Sequence, residues 1–134
     1  MTVILCVDNR FGMLFNKRRL SRDRAVTGDI VNDLSGGRLL GAEMSKPLFD
    51  GVENAVFRDD FPEIAKENDH CFVEDRDITP YLEKITRIVL YHWNRDYPAD
   101  LRFDPAVLRE FPKKTTTEFG GNSHEKITKE VYEK

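Results

Sequence analysis

Val3-Ile4-Leu5-Cys6-Val7, closed by Asp8-Asn9, is the stretch on which the fold of this chain turns. Five apolar residues in a row, three of them β-branched, are too few for a helix. They show no polar alternation, so they read as a strand buried on both faces and central in a sheet. Working outward, Ile88-Val89-Leu90-Tyr91 and Cys71-Phe72-Val73 repeat the pattern, Arg38 to Leu40 closes a shorter strand on Gly41, and Val52 to Phe57 holds another. Helical signals alternate with these runs. Val26, Ile30 and Leu34 recur at four-residue spacing with Val31 beside them, which predicts a helix over 23–34. Ser21 is its expected N-cap, Asp23 lies in its first turn, and Gly36-Gly37 ends it. Ser45-Lys46-Pro47, Phe61 to Ala65 and Thr79-Pro80 open shorter helical segments. Residues 14–24 lack periodicity and read as a long surface loop.

The end of the chain changes character. Thr115 to Phe119 favours a strand, Gly120-Gly121-Asn122-Ser123 supplies turn chemistry, and 126–132 alternates with Ile127, Lys129 and Val131 on one face. An antiparallel C-terminal hairpin is expected. Strands separated by helices and followed by a hairpin make an α/β domain over residues 1–134, a mixed sheet flanked by helices.

Composition supports a packed core and excludes several classes. Of 134 residues, 40% are hydrophobic, enough to reject a disordered polymer. Charged residues reach 34% but nearly cancel, 21 basic against 24 acidic, for a net charge of −3. That balance argues against a dedicated nucleic-acid coat. The first apolar run is far too short to span a bilayer, and a soluble cytoplasmic protein is predicted. Cys6 and Cys71 each sit within an apolar run and read as buried thiols. His70, His92 and His124 have no metal-site spacing, so no metal is expected. Glu74, Asp75 and Asp77 form a small acidic cluster, read either as a weak cation site or as a solvated turn. Lys17, Arg18, Arg19, Arg22 and Arg24 form a dense basic run, read either as an anion site centred on Arg18, Arg19 and Arg22 or as a solvated loop.

The ordered set of pieces resembles dihydrofolate reductase. The first strand running into Val7-Asp8-Asn9-Arg10-Phe11-Gly12-Met13 is similar to that family's first strand and mobile loop. Leu20-Ser21-Arg22-Asp23 resembles its Leu-Pro-x-Asp at the start of the first helix, and Arg38-Leu39-Leu40-Gly41 its next strand. Cys71-Phe72-Val73, Thr86 to Trp93 and the closing hairpin through Val131-Tyr132-Glu133-Lys134 complete the order. The resemblance implies that Asp23 falls on the carboxylate that holds the family's pterin ring and supports its protonation. It places a ligand pocket between the first strand, the Asp23 helix and the Tyr91 strand, with Val7, Phe15, Asp23 and Tyr91 as contacts.

The departures predict loss of the cofactor. The family's paired glycines, which let the backbone approach the NADPH pyrophosphate, are replaced by Glu74-Asp75. Gly41 is followed by Ala42-Glu43-Met44-Ser45, without the family's phosphate-holding cation, and the segment between Phe49 and His70 is shortened. The tryptophan expected in the loop before Asp23 is missing, with Arg18 near its place. The sequence therefore predicts a divergent, shortened member that binds a small ligand or a protein partner without working as an NADPH-dependent reductase. Two other readings stay open: an oxidoreductase with an altered cofactor site and Asp23 as proton relay, and an RNA- or phosphate-binding accessory protein using the basic loop 17–24.

Overall fold

Alternation along the central strands decides how the core is divided. In the computed structural model, which describes residues 1–134, the chain runs β1 (Thr2–Val7), β2 (Gly12–Phe15), β3 (Arg18–Arg19), α1 (Arg24–Asn32), β4 (Leu39–Gly41), β5 (Ala55–Phe57), α2 (Phe61–Ile64), β6 (His70–Phe72), β7 (Arg87–His92), β8 (Leu101–Arg102), β9 (Lys113–Phe119) and β10 (Ile127–Glu133). Short 3-10 segments cover Glu43–Phe49, Thr79–Lys84 and Pro105–Glu110.

Seven strands form one sheet in the order β5-β4-β6-β1-β7-β10-β9. The first five in that order are parallel, and β10 is antiparallel to both β7 and β9. The strand that opened the reading, β1, lies near the centre between β6 and β7. Its odd positions Val3, Leu5 and Val7 enter the apolar cluster on one face, together with Leu40, Cys71, Ile88 and Leu90. Its even position Ile4 joins the other cluster, with Phe72, Val89 and Tyr91, against Val26 and Ile30 of α1 and Leu34 just beyond it. Period-two alternation thus divides apolar runs, unpatterned in sequence, between two cores.

Three expectations are corrected. Residues 14–24 are not a long loop: β2 and β3 form a hairpin in which Leu14 faces Arg19 and Phe15 faces Arg18. Its two turn residues, Asn16 and Lys17, both have positive φ (50° and 63°), as a two-residue hairpin turn of this hand requires. A lysine in that conformation is uncommon and carries no sequence signal for it. With β8, these strands make a second, three-stranded sheet. The N-cap is also displaced, since Asp23 takes that position in extended backbone and its side chain accepts from the Ala25 N–H. Ser21 lies two residues before the cap.

The expected short helices at 45–47 and 79–85 are 3-10 segments rather than α-helices, and the first contains Pro47. β10 is clamped to α1 by Lys129, whose Nζ lies 2.7 Å from Asp29 and 2.9 Å from Asp33.

Candidate functional site

The site is built where the N-terminus of α1 meets the turn between β9 and β10. The Asp23 side chain is wholly buried. Its Oδ1 accepts from the N–H groups of Ala25 and Asn122, each at 2.8 Å. Its Oδ2 accepts from the N–H groups of Ser123 (2.8 Å) and His124 (3.1 Å) and from the His124 ring Nδ1 (2.9 Å). Gly121 permits this close approach, because a Cβ there would lie 2.7 Å from Asp23 Oδ2 and 2.6 Å from the His124 carbonyl oxygen. Burial by itself would push the Asp23 carboxyl up. The hydrogen bonds from Asn122, His124, Ser123 and Ala25 outweigh it and hold the group far below its ordinary value of 3.8.

That result counts against Asp23 as a proton relay, a role that needs a raised carboxyl. Every neighbour of its oxygens is a donor, so the carboxylate is ionised and has no proton to relay.

His124 is the second buried member. Its ring stacks on Trp93 with centroids 4.6 Å apart. Because Nδ1 faces an ionised carboxylate it is the donor there, which leaves the Nε2 lone pair as an acceptor. Two hydroxyls meet that lone pair, Ser21 Oγ at 3.0 Å and Tyr97 Oη at 3.2 Å. Tyr97 is held in place from β1, since its backbone N–H donates to Asp8 Oδ2 at 3.0 Å. Asp8 also accepts from the N–H groups of Arg10 and Gly12. Asp23, His124 and Ser21 therefore form a continuous carboxylate–imidazole–hydroxyl chain.

A second polar group closes the cleft between β3 and the end of β6. Arg19 donates to both oxygens of Glu74 (2.9 and 3.1 Å) and to the Met44 carbonyl oxygen at 2.6 Å. Ser45 Oγ donates to Glu74 Oε1 at 2.7 Å. Glu74 and Ser45 are buried. The adjacent Asp75 pairs with Arg76 at 2.9 Å, and Asp77 accepts from the N–H and hydroxyl of Thr79. Glu74 and Asp75 are thus each paired with an arginine, while Asp77 is held by Thr79. The Glu74 carboxylate is therefore paired and not free.

The open space beside Asp23 is divided in two. A narrow cavity of about 20 Å³ lies between Cys6, Ser21, Val26, Phe72, Glu74 and Trp93. An open groove of about 440 Å³ runs outside it, lined by Arg22, Arg24, Thr27, Leu48, Asn122 and Ser123. Arg22, Asp23, Thr27 and Leu48 border both spaces. Burial pushes the Cys6 thiol well above its ordinary value, so at neutral pH it is a lining group and not a nucleophile.

The expected site residues are only partly gathered. Asp23 borders the cavity. Val7 is buried in the core on the opposite sheet face from α1, because it is one position out of phase with Cys6, which lines the cavity instead. Phe15 is 46% exposed at the end of β2 and lines neither space. Tyr91 is fully buried with its hydroxyl on Asp29 Oδ2 at 2.6 Å, and burial followed by that hydrogen bond pushes its hydroxyl far up. Of the three candidate anion-binding arginines, Arg18 is exposed on β3, Arg19 is taken by Glu74, and Arg22 alone borders the groove.

His124, Ser21 as a hydroxyl donor, Tyr97 and the Arg19–Glu74 pair were not foreseen. His124 lies 101 residues from Asp23, and no local spacing signals their contact. The glycine pair Gly120-Gly121 beside Asn122-Ser123 was the one available hint of a crowded turn.

No known family profile matches the chain, and no curated protein matches it in sequence. Among solved structures, a dihydrofolate reductase from Enterococcus faecalis complexed with NADP(H) and RAB-propyl superposes with a TM-score of 0.67. The two are 8% identical, and the match covers 98% of this chain and 94% of that one. The chain has a dihydrofolate-reductase-like fold, with a mixed sheet flanked by helices and a C-terminal antiparallel hairpin. No helix is long and apolar enough to cross a membrane.

Proposed function

We propose that this chain uses a dihydrofolate-reductase-like scaffold as a non-reductase that binds a small anionic ligand in the groove beside α1. The observation carrying the reading is the Arg19–Glu74–Ser45 group, with Glu74 and Ser45 buried, standing in place of a dinucleotide cradle. The residues present do not fit NADPH in the family pose. Glu74 stands where a glycine would admit the pyrophosphate, and its carboxylate already has two partners. Gly41 is no open cradle either, since a Cβ there would meet the Phe57 ring and the Phe72 carbonyl oxygen at 3.4 Å. No step of the proposed role passes through a nicotinamide.

The anion preference rests on charge. Arg22 and Arg24 are exposed, border the groove and have no acidic partner within 4.0 Å. Two unneutralised guanidinium groups in a concave surface favour an anion with several oxygens.

The test uses inorganic pyrophosphate as the anion probe and NADPH as the competing ligand, both by calorimetric titration of the intact chain. Pyrophosphate binding should weaken about tenfold in Arg22→Ala/Arg24→Ala and should fall with added salt. NADPH should give no saturable binding at micromolar concentration. Micromolar NADPH binding, or pyrophosphate binding indifferent to both arginines, would overturn the reading.

A further inference from the structure

We propose that Ser21 is a nucleophile activated by His124 and oriented through Asp23, and that it cleaves esters of acetyl-sized acids by way of an acyl-enzyme. The distances are those such a chain needs. Ser21 Oγ lies 3.0 Å from His124 Nε2, and His124 Nδ1 lies 2.9 Å from Asp23 Oδ2, both within the span of a nucleophile–base–orienter arrangement.

Burial is graded along the chain in the useful direction. The Asp23 and His124 side chains are 0% and 1% exposed, while Ser21 is partly exposed and borders the cavity. The ring orientation is fixed by the surroundings. Four backbone N–H groups and the ring Nδ1–H converge on Asp23, which turns Nε2 toward Ser21 Oγ, in position to take its proton. Stacking on Trp93 holds the ring plane.

In the acylation step the Ser21 Oγ–carbon bond forms, the ester carbon–oxygen bond breaks, and the Oγ proton passes through His124 Nε2 to the departing alkoxide. Water then attacks the acyl carbon, giving its proton to Nε2, and the carboxylic acid leaves as Ser21 is regenerated. Arg22 borders both spaces and is the cation nearest in sequence to Ser21, so it is the group assigned to the developing oxyanion. The cavity of about 20 Å³ holds one or two water-sized groups, which sets the acyl size. The leaving group would extend into the groove, and only this part of the inference rests on the proposed anion site. Tyr97 competes with Ser21 for the single Nε2 lone pair, so it restrains the resting hydroxyl.

The experiment treats the intact chain with a fluorophosphonate and, separately, with p-nitrophenyl acetate, followed by intact-mass and peptide mass spectrometry. Neither reagent needs the anion groove. Phosphonylation, with Oγ–phosphorus bond formation and loss of fluoride, should give one adduct per chain at Ser21. Labelling should fall roughly 100-fold or more in Ser21→Ala. Tyr97→Phe should label at least as fast as the wild type. His124→Gln serves only if its circular dichroism is native, and Ser21→Ala carries the decision because its side chain is partly exposed. A folded wild-type chain without an adduct, or an adduct retained in Ser21→Ala, overturns the inference. Pyrophosphate binding without an adduct leaves the groove reading intact, and an adduct without pyrophosphate binding removes the groove reading alone.

Discussion

Removing the Asp23 carboxylate should unfold much of what the β9–β10 turn and α1 share. In Asp23→Ala, the His124 N–H and ring Nδ1–H, whose bonds to Asp23 are wholly buried, lose their acceptor. Each buried donor left unpaired costs about 1–3 kcal/mol. The lost cap on the Ala25 N–H adds about 1 kcal/mol. The N–H groups of Asn122 and Ser123 are only part-buried and can turn to water. The expected loss is therefore about 4 kcal/mol, a large share of the 5–15 kcal/mol that stabilises an ordinary domain.

Urea unfolding followed by Trp93 fluorescence reports it directly, because the indole stacks on the His124 ring. With a denaturant slope of about 2 kcal/mol per M, the midpoint should drop by about 2 M. If Asp23→Ala is too unstable to purify, Asp23→Asn keeps the cap and replaces only one oxygen. It should still destabilise, since its amide group would face donors.

The pH dependence has a fixed sign. The Asp23 carboxyl is depressed in the folded chain, so its contribution is complete above the unfolded value near 3.8 and is lost as pH falls below it. The difference in stability between wild type and Asp23→Asn should narrow over that acid range. A loss below about 1 kcal/mol in Asp23→Ala, or a difference independent of pH between 5 and 2, would refute the claim that this carboxylate holds the turn.

Two further substitutions probe the same framework. Gly121→Ala should lower stability by about 2 kcal/mol or more, read as a fall in melting temperature, because its Cβ would meet Asp23 Oδ2 and the His124 carbonyl oxygen below 3 Å. Lys129→Met should cost about 1–3 kcal/mol by the same urea assay, since it leaves Asp29 and Asp33 without their shared cation between α1 and β10. The Lys129 effect should shrink at high pH. Burial lowers this amine and the bonds to Asp29 and Asp33 raise it more, so its contribution is present below the ordinary 10.5 and lost above the raised folded value.

The strands were legible because each buried run is short and bounded by polar residues, and because the tail alternates. Val3 to Val7, Cys71 to Val73, Ile88 to Tyr91 and the closing hairpin all lie in the main sheet, or run on from its strands, where the sequence puts them. The β2–β3 hairpin was not legible, since Asn16-Lys17 lacks the glycine that usually marks such a turn. Asp23 stood out by its place before a helical stripe, but its titration could not be read. Burial and hydrogen bonding act on it in opposite directions, and the donors that decide the balance come from residues 122–124. The pocket residues were half legible for a related reason. Assigning Val7 instead of Cys6 is an error of one residue in a strand, which moves a side chain to the other face of the sheet.

By itself, the sequence determined the layered α/β plan, the central place of β1 and the helix ahead of Gly36-Gly37. These follow from period, turn chemistry and residue type, all properties of neighbours in the chain. Only the tertiary structure decided that Arg19 and Glu74 would satisfy each other, and that Asp23, His124 and Ser21 would stand in line beside a small cavity. Those contacts join residues 55 and about 100 positions apart. Hydrogen bonds and ion pairs act over a few ångströms of space, and it is the folding of the sheet and its closing hairpin that brings such distant groups within reach.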